Sequence, residues 1–71
     1  MNTYYYDVHV FYSRNDEFSK PIKIETDKIF TDDDVIQYAV DNGHIGSEDT
    51  KHVDYVIEID EKEYNEMTLT L

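Results

Sequence analysis

The chain lacks cysteine and tryptophan altogether, and its 71 residues include one proline, two glycines and six lysines or arginines. Without cysteine there is no disulfide to hold a small fold and no thiolate for metal binding or catalysis. Two isolated glycines cannot build a phosphate-cradling loop. No apolar run approaches the roughly 18 residues of a membrane span, and the first residues lack the basic-then-apolar plan of a signal peptide. Set against 17 acids and a net charge of −11, the few basic residues exclude direct binding to nucleic acid or to an anionic membrane surface. These absences predict a cytoplasmic protein with no membrane contact and no cofactor.

What is present is acid, and it is unevenly placed. Residues 1–30 carry five acids against four bases, whereas residues 31–71 carry twelve against two. Almost all of the net charge therefore follows Phe30. With 32 % charged and 39 % hydrophobic residues, disorder has to be weighed first. Seven tyrosines and three phenylalanines that fall in a regular pattern argue for order. A single domain over residues 1–71 is expected, burying only roughly 60 % of its unfolded surface. Its stability should be on the order of 3–5 kcal/mol. Phe, Tyr, Met, Ile, Asn and Lys total 28 while Gly, Ala, Arg and Pro total 5, the bias that AT-rich coding DNA produces. That composition fits a low-GC bacterium, or a phage or mobile element living in one.

Period-two alternation is clearest from Tyr4 to Tyr12, with Tyr4, Tyr6, Val8, Val10 and Tyr12 on one side and Asp7 and His9 on the other. Tyr5 and Phe11 share the second side, so this strand is placed inside the sheet. Residues 13–17 read as a turn, and a second strand runs through Ile22 and Ile24 to Thr26, with Pro21 at its start or on an edge. Thr31 is the predicted N-cap of a helix, with Asp34 at its third position and Phe30 stapled to Val35. Asp32, Asp33 and Asp34 lie where the helix dipole favours negative charge. Val35, Ile36, Ala39 and Val40 form the buried stripe, and Asn42-Gly43 ends the helix. Alternation returns at Val53, Tyr55, Ile57 and Ile59, with Asp54, Glu58 and Asp60 expected on the opposite, open face. Residues 60–66 read as a charged turn or one helical turn, and Met67, Leu69 and Leu71 as a short last strand. The predicted class is α+β in the order β-β-α-β-β, one helix across one face of a small sheet, as in β-grasp-like architectures.

Candidate chemistry is sparse. His9, His44 and His52 match no metal-ligand spacing and read as surface histidines. Asp41, Gly43, Glu48 and Asp49 lack the alternate ligands and closing glutamate of a calcium loop. Paired carboxylates need an apolar cleft to separate their pKa values, and a domain of this size has little room for one. A non-enzymatic protein with no catalytic, metal or cofactor-binding residue is the expectation.

The acidic surface is the stronger lead. Asp54, Glu58, Asp60, Glu61 and Glu63 are the expected partner-binding residues. Duplex DNA presents one phosphate per roughly 3.4 Å of each strand, so imitating it needs carboxylates from several elements. The favoured expectation is an acidic inhibitor, phage- or mobile-element-encoded, that blocks the nucleic-acid-binding surface of a basic host protein in the manner of a DNA mimic. The competing expectation is an accessory domain, homodimeric through Tyr5 and Phe11, whose acidity serves only solubility.

Overall fold

The strand with the strongest alternation becomes the centre of the sheet. In the computed structural model, which describes residues 1–69, β1 (Asn2–Ser13) pairs antiparallel with β2 (Asp16–Thr26) on one side and β3 (Val53–Ile59) on the other. The sheet order is β2-β1-β3. Arg14 and Asn15 alone make the turn between the first two strands, so β2 begins six residues before Ile22 and extends the hairpin through Phe18 and Lys20. Pro21 lies inside β2, which its missing N–H tolerates because β2 is an edge strand.

Helix α1 (Asp32–Asp41) starts as its cap predicts. The Thr31 hydroxyl accepts from the Asp34 N–H at 3.2 Å, and the Asp34 carboxylate accepts from the Thr31 N–H at 3.0 Å. A cap of this kind contributes about 1 kcal/mol. Phe30 packs on the core that contains Val35 and sits edge-on to Tyr38. Beyond the Asn42 cap, Gly43 takes φ +75°, a left-handed conformation that glycine adopts without a Cβ clash. Val35 and Ala39 close over Tyr6, Val8, Val10, Ile22 and Ile24, the α1 face of the sheet. Ile45, just past the helix, completes this core, and a 3₁₀ turn, Ser47–His52, leads into β3.

Two expectations are corrected. Among the described residues the last strand does not form: residues 61–69 are helix α2 (Glu61–Leu69), so the order there is β-β-α-β-α rather than β-β-α-β-β. Asp60 decides this, because its carboxylate accepts the Glu63 N–H at 2.8 Å and its carbonyl accepts the Tyr64 N–H at 3.0 Å, an N-cap that extends the single helical turn expected over residues 60–66 into a helix. Met67 and Leu69 are therefore helical, and Leu71 lies outside the described residues.

The second correction concerns which way β3 faces. A bulge between His9 and Val10 pairs Val53 with Val10 and Tyr55 with His9, leaving Asp54 as the extra residue. The bulge changes the parity of the strand. Val53 and Val56 pack towards α1, while Tyr55, Ile57 and Ile59 fall opposite His9, Asp7 and Tyr5 on the other face. Tyr5 and Phe11 accordingly do not pack on Val56, which pairs with Val8 on the α1 side. Glu58 pairs with Tyr6, also on the α1 side, so Asp54, Glu58 and Asp60 do not share an open face.

Candidate functional site

The face away from α1 carries Tyr5, Asp7, His9 and Phe11 from β1, as the alternation predicts. Strand pairing adds Ser19, Pro21 and Glu17 from β2 and Tyr55 and Ile57 from β3. Helix α2 covers one end of this face. The Tyr64 ring lies 4.9 Å from the Tyr5 ring, and the Tyr5 hydroxyl donates to the Glu61 carboxylate at 2.8 Å. That bond to an anion raises the Tyr5 pKa above its ordinary value. Tyr5 is thus occupied within the chain, while Phe11 stays 42 % exposed, and the two do not form one open surface.

In the middle of this face lies Asp7, only 8 % exposed, flanked by buried Pro21 on β2 and by Ile57 on β3. Its Oδ1 has no hydrogen-bond partner. Desolvation raises its pKa above the usual carboxylate range, against smaller opposing effects of a Ser19 hydrogen bond and of nearby His9. His9 is held on every side. Its Nδ1 shares a 2.8 Å hydrogen bond with Ser19 Oγ, its Nε2 lies 3.0 Å from Glu17 Oε1, and its ring stacks on Tyr55 at 4.9 Å with planes 7° apart.

A serine, an imidazole and a carboxylate in hydrogen-bonded sequence invite a nucleophilic reading. Acyl transfer needs a recess for the reacting carbonyl beside the serine. A groove of about 570 Å³ is lined by Thr3, Tyr5, Glu58, Ile59, Asp60 and Glu63. It sits four residues along β1 from His9, roughly 13 Å away. The Ser19–His9–Glu17 set joins β1 to β2 across the hairpin and carries the stacked Tyr55. This cluster is not legible in the sequence, where residues 13–17 have the composition of a turn and nothing marks the bulge at Tyr12. A two-residue turn at Arg14-Asn15 by itself places Lys20 opposite His9; the bulge at Tyr12, between Phe11 and Ser13, shifts the register by one and brings Ser19 opposite His9 and Pro21 opposite Asp7.

The groove itself gathers three carboxylates, Glu58, Asp60 and Glu63, beside the hydroxyls of Thr3 and Tyr5. Among the described residues no group of three or more histidines, cysteines or acids has the geometry to hold a metal ion. At the far end of β1, the Tyr12 hydroxyl donates to the Asp49 carboxylate and its ring stacks on His52 at 4.1 Å. The bond pushes the Tyr12 pKa up to about 12 and holds Asp49 below the usual carboxylate range, where the Gly46 N–H also stabilises the anion. This contact ties the 3₁₀ turn to the sheet.

The five acids expected to bind a partner thus occupy different settings. Asp54 is the exposed residue of the β3 bulge, and Glu58 is exposed beside Tyr6, whose pKa it helps to raise after desolvation. Asp60 caps α2, Glu61 accepts from Tyr5, and Glu63 stands in the first turn of α2. All five remain solvent-exposed. The ion pairs among the described residues join the N-terminal ammonium to Asp27, His9 to Glu17, and Lys23 to Glu25. None of them engages any acid after Phe30. No helix among the described residues is long and apolar enough to cross a membrane. Comparison with protein-family models, with curated proteins and with solved structures finds no match for this chain.

Proposed function

We propose that this protein is a small, non-enzymatic interaction module that binds and blocks a basic, nucleic-acid-binding surface of another protein. The observation that carries this reading is the state of the negative charge. The twelve acids after Phe30 are exposed, with Asp49 half-buried, and none is neutralised by an ion pair among the described residues. An acid that is paired contributes to its own fold; an acid left facing solvent contributes field, which attracts and orients a cationic surface. Those acids are distributed over α1, the 3₁₀ turn, β3 and α2, the several elements that imitation of a phosphate array requires. A phage or mobile-element origin suits both the composition and a blocking role.

Within this surface, Asp54 and Glu58 carry the specific part of the reading. The first-turn aspartates of α1 serve its dipole and cap, and Asp60 serves the cap of α2. Asp54 and Glu58 make no such contact. The test immobilises the protein and passes over it the heparin-retained fraction of a low-GC bacterial lysate, then elutes with duplex DNA. The reading expects a nucleic-acid-binding protein that DNA displaces and that Asp54→Asn with Glu58→Gln retains more weakly than Asp32→Asn with Asp33→Asn does. Capture that DNA does not displace, or no capture, refutes it and leaves acidity as a device for solubility.

A further inference from the structure

The two edges of the sheet are built differently. The β2 edge contains Pro21, which has no N–H to offer, and two lysines, Lys20 and Lys23. Those are the usual devices by which a protein keeps an edge from pairing with another chain. The β3 edge has neither proline nor lysine, and its one irregularity is the bulge at Asp54, near its start. From Val53 to Ile59 it contains no proline, glycine, lysine or arginine, and among the described residues it has a sheet neighbour on one side only. Its outward side chains alternate: Tyr55 and Ile57 are 40 % and 47 % exposed, and the acids Asp54 and Glu58 are exposed beside them.

We infer that β3 is a docking edge, on which an extended, basic segment of the partner pairs as a fourth strand. The inference rests on the basic-partner reading above and specifies its mode. Backbone hydrogen bonds along a bare edge supply affinity, and side chains at alternate positions supply selection. A lysine or arginine opposite Asp54 and another opposite Glu58 meet unpaired carboxylates, while apolar residues between them cover Tyr55 and Ile57. Opposite charges facing each other across a strand pair are stabilising, and like charges are destabilising.

That same rule argues against a second copy as the occupant. Antiparallel pairing of all seven β3 residues with their own copy places the two-fold axis at Val56. Asp54 of each chain then faces Glu58 of the other, so two like-charged pairs stand in direct opposition between molecules that each carry −11. The acids therefore do for β3 what proline and lysine do for β2, but only against partners of the same sign.

The test uses two synthetic peptides of equal composition, one alternating lysine and valine and long enough to span β3, the other with all its lysines grouped before its valines. Binding is read by titration, and hydrogen exchange of backbone amides locates it. The alternating peptide is expected to bind at least several-fold more tightly and to slow exchange in Val53–Ile59 but not in β2. Asp54→Asn with Glu58→Gln should weaken it, and Ile57→Lys, at a position 47 % exposed beside Asp7, should abolish its advantage. Equal binding of both peptides without protection of β3 overturns strand docking while leaving the acidic-surface reading in place. Failure of both peptides to bind overturns the two together. If sedimentation shows a dimer whose β3 amides are already protected, the occupant is a second copy and the inference is wrong.

Discussion

Replacing Asp7 with asparagine should stabilise the protein at neutral pH, although it alters the most buried polar side chain on the sheet. Asp7 is 8 % exposed, its Oδ1 has no partner, and desolvation raises its pKa. A carboxyl whose folded pKa lies above its unfolded value favours folding only while it is protonated. At a pH below the unfolded value, about 3.9, both states hold the proton and parent and variant differ little. As pH rises, the unfolded chain releases its proton first, and the parent loses stability until the folded carboxyl has titrated as well. Above that window the full penalty is present. Asparagine is itself a buried polar group there, so the cost of about 1–3 kcal/mol for an unsatisfied neutral group is common to both proteins and the gap measures the buried charge; for a domain of this size each kcal/mol moves the melting temperature by roughly 4–8 °C. Urea denaturation of parent and Asp7→Asn, in steps from acid to neutral pH, isolates the effect because every other carboxyl is common to both. The stability difference should be small in acid, grow in favour of the variant as pH rises, and then level off. A difference that is independent of pH, or a variant less stable at neutral pH, would refute the reasoning and show that Asp7 is satisfied where it lies.

Two further outcomes follow from the same electrostatics. Because no acid after Phe30 is paired, screening should relieve self-repulsion, and the melting temperature should rise between about 10 and 200 mM sodium chloride; a flat or falling curve would mean that the surface is not repulsive. The phenol of Tyr12 should titrate at about 12 by ultraviolet absorbance, and Asp49→Asn, which removes the anion it donates to, should return it towards 10.0, its ordinary value; unchanged titration would show that the 3₁₀ turn is not tied to β1 by this bond.

Sequence periodicity reached some of this fold and missed other parts for identifiable reasons. The central strand and α1 were legible because their signals are local: alternation along β1, a Thr31–Asp34 cap, and a glycine two residues past the helix. The start of β2 was not, because Asp16, Glu17, Ser19 and Lys20 are polar on both faces and alternation has nothing to show there. The facing of β3 turned on one bulged residue, Asp54, and a single insertion inverts every later side chain. A sequence pattern cannot register it, since the bulge is a property of the pairing with β1. The last element was misread in a different way. Met67-Thr68-Leu69-Thr70-Leu71 alternates, but five residues are too few to outweigh an N-cap at Asp60, and Tyr64 three residues after Glu61 brings both onto Tyr5. The candidate acids were visible individually. Their separation into capping, tyrosine-bonded and unpaired groups was not, because it depends on where α2 begins.

The unpaired surface and the buried Asp7 both oppose folding, yet they answer to different variables, and that makes them separable. Repulsion between exposed carboxylates acts through solvent and fades over about 8–10 Å at physiological salt. The penalty on Asp7 comes from the removal of solvent, so ions in the buffer do not reach it. Salt should therefore raise the melting temperatures of parent and Asp7→Asn by similar amounts and leave the gap between them in place, whereas lowering the pH should close that gap. If salt closes it instead, Asp7 responds to the surface field and is not isolated from solvent between Pro21 and Ile57. The surface charge, unlike Asp7, would then be expected to recover its cost only on contact with a cationic partner. That recovery predicts a larger rise in melting temperature when the alternating lysine–valine peptide binds at low salt than at high salt. An equal rise at both would mean that backbone pairing along β3 acts without the acids beside it.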